Sequence, residues 1–462
     1  MPAAVDSGTK PAYARLAVAD ELGLLKIIET PGGPSWGTTK IVQKWGEANR
    51  QQAVVALAAP DFLRTDVDVL ACARGSGQVD ILDSSSGRLL CTLPTIPSTQ
   101  PCPSGTVISQ PSTSAAVRAL AFNVDTNIHG SLQLVSCTAS GTLCCNRLAS
   151  SATASHCTDW AQWQQACSFQ AAPHVACMAV QQQSGGDLVA LGGDGCQLQV
   201  WSLSAGAQVF AAKGAKPNRV GNVDLPHLTA AVWLPDPPGK LVLVGTVKHK
   251  LWLYDLRAGK RPQLDLSWGE ARITALAAQA DGCRVWAANG TGHVEALDLR
   301  SRTMQGALKG SVGSVTALAL HPDASQPLIA TAGLDRHLRV YCSQTRALVC
   351  KLYCKQQLSG SVWLRPVTAA AETEAEQAPC GPGTAPSALD PFSEGETGLA
   401  REAPEPGEVQ TARRKKTTAE QREGGRLKKV KVGAAIGSKA AAHEGGRVFV
   451  NKAKSKNARV KS

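Results

Sequence analysis

The chain has 462 residues, a net charge of +12 and an isoelectric point of about 9.1. Its length allows one large repeat domain or two to three ordinary domains. The first ten residues lack an apolar signal-peptide core and no apolar run reaches transmembrane length, so we expect an intracellular protein with no membrane partner.

Fifteen cysteines are numerous enough to consider disulfides or zinc. No Cys-x-x-Cys pair occurs, which removes the strongest zinc signature, and the expected compartment is reducing. Several cysteines stand inside apolar runs, where cysteine commonly acts as a small buried hydrophobe. We expect this of Cys72, Cys137, Cys177 and Cys283.

Seven copies of one unit follow each other along the chain. They align on the apolar or aromatic residue that ends an alternating strand: Ile28, Leu82, Cys145, Trp201, Tyr254, Leu297 and Tyr341. The last two spacings are 43 and 44 residues, which match the WD-repeat period of about 40–45. The earlier spacings, 53 to 63 residues, require insertions. The candidates are a Pro/Ser/Thr loop at residues 94–111, a polar stretch with two tryptophans at 148–170 and a Gly/Pro/Asn-containing segment at 213–226.

The clearest copy lies near the end of the repeat region. Residues 328–331 predict an apolar strand, 338–341 an alternating strand and 347–353 a third. A shorter strand, residues 314–320, precedes them and ends at His321-Pro322. Four short strands in about 40 residues are typical of one blade of a WD-type β-propeller.

Closure of the ring follows from counting strands. Six copies are preceded by an alternating apolar strand, whereas the first copy, residues 14–28, has none, and an unaccompanied strand, residues 359–364, follows the last copy. A ring with an unpaired edge would expose unsatisfied backbone groups. We therefore predict that the C-terminal strand completes the N-terminal blade, giving an all-β, seven-bladed WD-type β-propeller.

Charge is distributed unevenly beyond the predicted ring. Residues 366–411 hold one Lys or Arg against nine Asp or Glu, whereas residues 413–461 hold 16 against three. Neither segment has enough apolar surface to offset the entropy lost on ordering. We predict a disordered N-terminus (1–13), the propeller (14–365), an acidic Ala/Pro/Glu-rich linker (366–411) and a disordered basic C-terminal tail (412–462).

Basic residues concentrate in turns of the fifth to seventh repeats. Equivalent turns lie on one rim of a propeller, where an arc of cations either binds phosphates and acidic partner surfaces or is simply solvated. The candidates that follow the alternating strand are Arg257, Lys260, Arg261, Arg300, Arg302 and Arg346, with Arg88 in the second repeat. Lys248, Lys250 and Arg336 precede that strand, on the opposite rim, and Arg339 lies within it. We predict that these residues contact a partner protein or RNA.

The sequence offers no catalytic motif, because it lacks a Gly-rich phosphate loop, a nucleophile elbow and His-Glu-x-x-His. His249, His293 and His337 stand in turns of three successive repeats, but no carboxylate recurs beside them to orient a metal ligand. Cys144 and Cys145 point to opposite faces of one strand. We therefore predict a non-catalytic protein with no metal, cofactor or small-molecule substrate.

Two basic clusters in the tail are similar to a bipartite nuclear import signal. They consist of Arg413, Arg414, Lys415 and Lys416, and of Arg426, Lys428, Lys429 and Lys431. The last segment, residues 451–461, alternates Lys or Arg with small residues, a pattern typical of phosphate contacts that read no base. We expect nuclear localisation and contact of the tail with RNA.

Several segments resemble the ribosome-assembly factor family of WD repeat-containing protein 74. The similarity is closest in residues 241–358 and extends loosely over 14–365. The matching segments include Gly23-Leu24-Leu25-Lys26, Tyr254-Asp255, Arg261-Pro262, Leu308-Lys309-Gly310, Gly333-Leu334-Asp335-Arg336, Leu338-Arg339 and Lys355-Gln356-Gln357-Leu358. Residues 94–111 and 366–411 depart from the family's pattern.

The resemblance implies a nucleolar propeller that joins early precursors of the large (60S) ribosomal subunit during pre-rRNA processing. It implies pre-60S proteins and rRNA as partners, and removal by an AAA-type ATPase that remodels the particle. A generic nuclear WD-repeat adaptor, in a ubiquitin ligase or a chromatin complex, is the alternative. The basic tail and the similarity at residues 308–358 favour ribosome assembly.

Overall fold

The computed structural model describes residues 14–30, 39–93, 116–125, 131–148, 163–182, 186–214 and 225–366. In these ranges the chain forms 28 strands and one short 3-10 helix, Arg50–Gln52. The strands make seven four-stranded antiparallel sheets, so the predicted all-β, seven-bladed propeller is confirmed. The predicted linker, the tail and its import clusters lie outside the described residues.

Each blade takes four strands, here given in blade order. Blade 1 contains β1 (Ala14–Asp20), β2 (Leu25–Thr30) and β3 (Lys40–Trp45); blade 2 contains β4 (Val54–Ala58), β5 (Val69–Arg74), β6 (Val79–Asp83) and β7 (Leu89–Leu93). Blade 3 contains β8 (Val117–Asp125), β9 (Ser131–Thr138), β10 (Thr142–Leu148) and β11 (Trp163–Gln170); blade 4 contains β12 (Val175–Val180), β13 (Leu188–Gly193), β14 (Gln199–Ser202) and β15 (Ala207–Ala211). Blade 5 contains β16 (Leu228–Trp233), β17 (Leu241–Thr246), β18 (Lys250–Asp255) and β19 (Leu264–Ser267); blade 6 contains β20 (Ile273–Ala278), β21 (Arg284–Asn289), β22 (Val294–Asp298) and β23 (Thr303–Leu308). Blade 7 contains β24 (Val315–Leu320), β25 (Leu328–Gly333), β26 (His337–Cys342) and β27 (Leu348–Tyr353), and β28 (Leu358–Leu364) returns to blade 1.

The predicted closure is confirmed. β28 pairs antiparallel with β1, with Trp363 opposite Leu16, and serves as the inner strand of blade 1. The seven inner strands contact one another in an unbroken cycle. After β28, Arg365 donates hydrogen bonds from Nε to Asp68 Oδ1 at 2.8 Å and from Nη2 to Thr65 O at 2.6 Å, which ties the closing strand to blade 2.

The hydrophobic core lies between blades. The second strand of each blade faces a neighbouring blade on both sides, so its sequence is nearly all apolar, as in β5 and β25, whose residues are all buried. Seven clusters of buried side chains result, one at each junction of adjacent blades. Every blade is therefore stabilised mainly by its neighbours, as expected of a repeat fold.

The prediction of the repeats needs two corrections. Residues 163–170, predicted as part of an insertion, form β11, the outer strand of blade 3, and the aligned residue of that blade shifts by one position. In blades 1, 2, 4 and 7 the aligned residue directly follows a β-bulge in the third strand. In blade 3 that bulge falls between Cys145 and Asn146, and Asn146 pairs with Leu134 as Tyr341 pairs with Ile329. Asn146, not Cys145, is therefore the structural equivalent.

Most of the cysteines placed in the core are buried there. Burial raises the pKa of Cys72, Cys137 and Cys177 to about 12, so their thiols are inert hydrophobes. Cys283 is only half-buried, because it lies in the turn before β21 and not in a strand, so that prediction was wrong. Among the described residues no helix has the length and apolar character needed to cross a membrane.

Candidate functional site

The turn between the third and outer strands of blades 5 and 6 is built by an aspartate. Asp255 Oδ1 accepts the N–H of Arg257 at 2.9 Å, and Asp298 Oδ1 accepts the N–H of Arg300 at 2.8 Å. These bonds form Asx turns, which reverse the chain locally. The hydrogen bond from the Arg300 N–H lowers the pKa of Asp298. The Tyr-Asp and Leu-Asp dipeptides of the repeats thus hold the neighbouring arginines at the tip of a turn.

The two turns present five exposed cations on adjacent blades. We define this blade 5–6 patch as Arg257, Lys260, Arg261, Arg300 and Arg302. Arg257 pairs with its own Asp255 at 3.1 Å, but its side chain is 58% exposed, so the pair is weak. No carboxylate among the described residues forms an ion pair with the other four. The patch can therefore bind phosphates or carboxylates of a partner.

Lys213 extends the patch, and sequence reasoning missed it. Its backbone N–H donates to Lys260 O at 2.7 Å, although it follows the outer strand of blade 4. Lys213, Lys260 and Arg261 line one open cavity of about 580 Å³. The sequence carries no signal for this proximity, because it depends on the packing of the blade 5 turn against the segment that follows blade 4.

The other predicted cations are divided between two places. Arg346 lies in the equivalent turn of blade 7 and contacts Gly306 of blade 6. Lys248 and Arg336 lie in the turns between the second and third strands, at the opposite end of the blades, and Lys250 is the first residue of the third strand, β18. Lys250 forms an exposed ion pair with Asp265 at 3.2 Å. The fold therefore does not bring these three into the blade 5–6 patch.

Arg339 was predicted to contact a partner, but the structure buries it inside blade 7. Its residue is 3% exposed, and its guanidinium forms an ion pair with Asp335 at 2.7 Å. Adjacent blades hold similar pairs in this position: Lys26 with Asp20 at 2.7 Å in blade 1, and Asp80 with Arg74 at 2.8 Å in blade 2. Arg339 is therefore a structural residue inside the blade and cannot reach a partner.

The three histidines do not form a site. His293 and His337 occupy equivalent positions, four residues before the aligned Leu297 and Tyr341, whereas His249 lies five residues before Tyr254 and has a φ of 49°. The His337 ring instead packs on Tyr353, with centroids 5.2 Å apart. No cluster of three or more metal-ligating side chains occurs in the part of the chain that the structure describes.

Cys144 and Cys145 face opposite sides of β10, as predicted. Cys144 Sγ lies 3.0 Å from Ser168 Oγ, whereas Cys145 stands directly opposite Cys167 of β11. The neighbouring Cys145 thiol lowers the pKa of the half-buried Cys167, whereas burial raises the pKa of the core cysteines.

A cavity of about 590 Å³ opens at one end of the propeller axis. The ends of the inner strands line it, largely with alanine and other apolar side chains, and with His321. His321 packs against Trp363 at 4.8 Å and Phe62 at 5.8 Å between ring centroids, and burial lowers its pKa. The imidazole is therefore part of an aromatic cluster that holds the ring's closing strand.

Comparison with known proteins agrees with this architecture. The family model described as WD domain, G-beta repeat matches residues 302–342. Over 179 residues the chain is 35% identical to WD repeat-containing protein 74 of Bos taurus and of Homo sapiens, covering 37% of this chain and 44% of each relative. It is 36% identical over 169 residues to the protein of that name in Mus musculus, covering 35% of this chain and 42% of the relative. The matches span less than half the length of these relatives. The chain is a WD-repeat propeller that resembles WD repeat-containing protein 74.

Proposed function

We propose that the chain is a non-catalytic WD-repeat scaffold in the assembly of the large (60S) ribosomal subunit and in pre-rRNA processing. The observation that carries the proposal is the blade 5–6 patch, in which two adjacent turns present five exposed cations. The resemblance to WD repeat-containing protein 74 supports the assignment to ribosome assembly. The basic tail supports a nuclear and nucleolar location.

The patch suits anionic partners in a pre-ribosomal particle. Guanidinium groups bind phosphates and carboxylates through paired N–H donors, and four of the five residues are arginines. Its partner is an rRNA phosphate backbone or an acidic assembly factor. Release by an AAA-type ATPase belongs to the same proposal through the resemblance.

Reversing the patch tests the proposal. A variant with Arg257, Lys260, Arg261, Arg300 and Arg302 all changed to Glu should fold normally, because exposed substitutions cost within about 0.5 kcal/mol each. Its yield of co-purified pre-rRNA and 60S precursor proteins should fall at least about tenfold, because phosphate contacts dominate such affinity. The measurement is the RNA and protein composition of native complexes at two salt concentrations, and the wild-type yield should fall as salt rises.

The chain offers a control with the same change in charge. Lys40, Lys44, Arg50, Lys351 and Lys355 are also exposed but lie outside the patch. Their reversal to Glu should leave particle association nearly unchanged. Equal losses in both variants, or normal association of the patch variant, would contradict the proposed docking surface. Complexes that hold ligase subunits or nucleosomes without pre-rRNA would favour the nuclear adaptor.

Removing the tail tests localisation. A chain that ends at Ala412 lacks only the basic tail and keeps every described strand, and it should lose its concentration in the nucleolus and spread through the cell. Fluorescence imaging of this chain beside the full chain is the measurement. If the shortened chain still concentrates in the nucleolus, binding by the ring is sufficient and the tail is not the targeting element.

A further inference from the structure

A small polar pocket of about 180 Å³ lies where blade 6 meets blade 7, apart from the blade 5–6 patch. Its blade 6 side is one face of the sheet, because Arg284 stands opposite Asp298 and Trp286 opposite Ala296, which in turn faces Gln305. The turn after β26 completes it with Ser343, Gln344 and Arg346.

One residue that lines the pocket has a buried donor without an acceptor. Trp286 is 1% exposed, and its indole Nε1 has no hydrogen-bond partner among the residues that the structure describes. Buried N–H groups are almost always paired in folded proteins, so an unpaired one requires an explanation. An acceptor group that enters the pocket would supply the missing partner.

The charges of the pocket favour an anion with a single charge. Arg284 and Arg346 contribute two positive charges to its lining. Asp298 contributes one negative charge, but its oxygens already accept the Arg300 N–H at 2.8 Å and the Gln305 amide at 3.0 Å. The lining therefore carries a net charge of about +1, which a monoanion would neutralise.

The backbone of Arg346 is fixed before any ligand arrives. Its φ of 62° is in the left-handed region, and its N–H donates to Cys342 O at 2.8 Å. Its guanidinium lies over Gly306, where the Cβ of any other residue would collide with it.

We propose that this pocket binds a carboxylate side chain, Asp or Glu, presented by a partner protein. A carboxylate is a monoanion at the end of a side chain, so it can enter a recess of this size. A phosphodiester lies within a chain between two sugars, and a phosphomonoester would bring a second negative charge beside Asp298. This proposal adds to the scaffold function the chemical group that a partner would present. It rests on the proposed function only in assuming that a partner exists.

The test observes the Trp286 indole directly. N-acetylglutamate amide is titrated into the full chain labelled with ¹⁵N at its tryptophan indoles, and Trp286→Phe assigns the resonance by NMR. The Trp286 N–H signal should shift in a saturable manner. Arg284→Gln and Arg346→Gln should each weaken binding about tenfold or more, because each removes a charge-assisted hydrogen bond. Arg50→Gln, at an exposed arginine that does not line the pocket, should bind as the wild type does.

Three further outcomes would overturn the assignment. They are the absence of a saturable shift, an equal shift with neutral N-acetylglutamine amide, and tighter binding of inorganic phosphate or an RNA oligonucleotide than of the glutamate probe. Unchanged signals from the other tryptophans show that each variant is folded. The test uses the isolated chain, and the patch variant leaves every lining residue intact, so failure of the pocket and failure of particle docking are distinguishable.

Discussion

A chain that ends at Lys355 is expected to lose at least about 3–5 kcal/mol of unfolding free energy, or to become insoluble. Such a chain lacks β28, whose Leu358, Trp363 and Leu364 are buried. The inner edge of β1 would also lose its backbone partners and become open to aggregation. Denaturant unfolding monitored by circular dichroism measures the loss.

The control is a chain that ends at Pro366. It keeps β28 and also the hydrogen bonds of Arg365 to blade 2, so its ring should unfold at nearly the same denaturant concentration as that of the full chain. If the chain ending at Lys355 is as stable as this control, β28 does not close the ring in solution.

The second large effect is expected from the buried ion pair of blade 1. Lys26 Nζ lies 2.7 Å from Asp20 Oδ2 and donates to Cys354 O at 2.7 Å, and the side chains of Lys26 and Asp20 are 4% and 0% exposed. Lys26→Met leaves the Asp20 carboxylate buried without its counter-ion. The expected loss of unfolding free energy is about 3–5 kcal/mol.

Two further variants separate this effect from the loss of a long side chain. Lys250→Met removes the exposed partner of Asp265 and should cost less than about 1 kcal/mol. Asp20→Asn combined with Lys26→Met should cost less than the sum of the two single changes, because no unpaired charge remains. A Lys26→Met chain as stable as Lys250→Met would show that the pair contributes little.

The architecture could be predicted because its signals are local and repeated. Turns and apolar strands recur at a nearly regular period, and the surplus strand at residues 359–364 had only one economical place, beside the incomplete first blade. A strand can complete a blade through backbone hydrogen bonds whichever side chains it carries. This explains why degenerate repeats still predicted the closed ring correctly.

The wrong predictions arose where the polarity of a residue was used to infer its position in the sheet. Cys145 was aligned because Asn146 is polar, although the bulge in β10 makes Asn146 the equivalent residue. Arg339 was placed on the surface, but strand alternation turns it into the blade toward Asp335. The register of a bulge and the partner of a buried charge depend on contacts between strands, which spacing along the chain does not specify.

One of the two candidate sites could be predicted from the sequence and the other could not. The turns that form the blade 5–6 patch could be located from the repeats, because each turn follows a recognisable strand. The carboxylate pocket could not, since it combines three strands of blade 6 with a turn of blade 7 and an unpaired indole. Only the packing of two blades creates it.

The pairing of β28 with β1 also sets the order in which the ring can form during synthesis. Translation at about 5–20 residues per second takes roughly 20–70 seconds to proceed from the end of β1 to the start of β28. Throughout that interval the newly made β1 has one edge without its permanent partner. Blades 2 to 7 can each pair all four of their own strands as they are made, so the blade begun first is the one completed last.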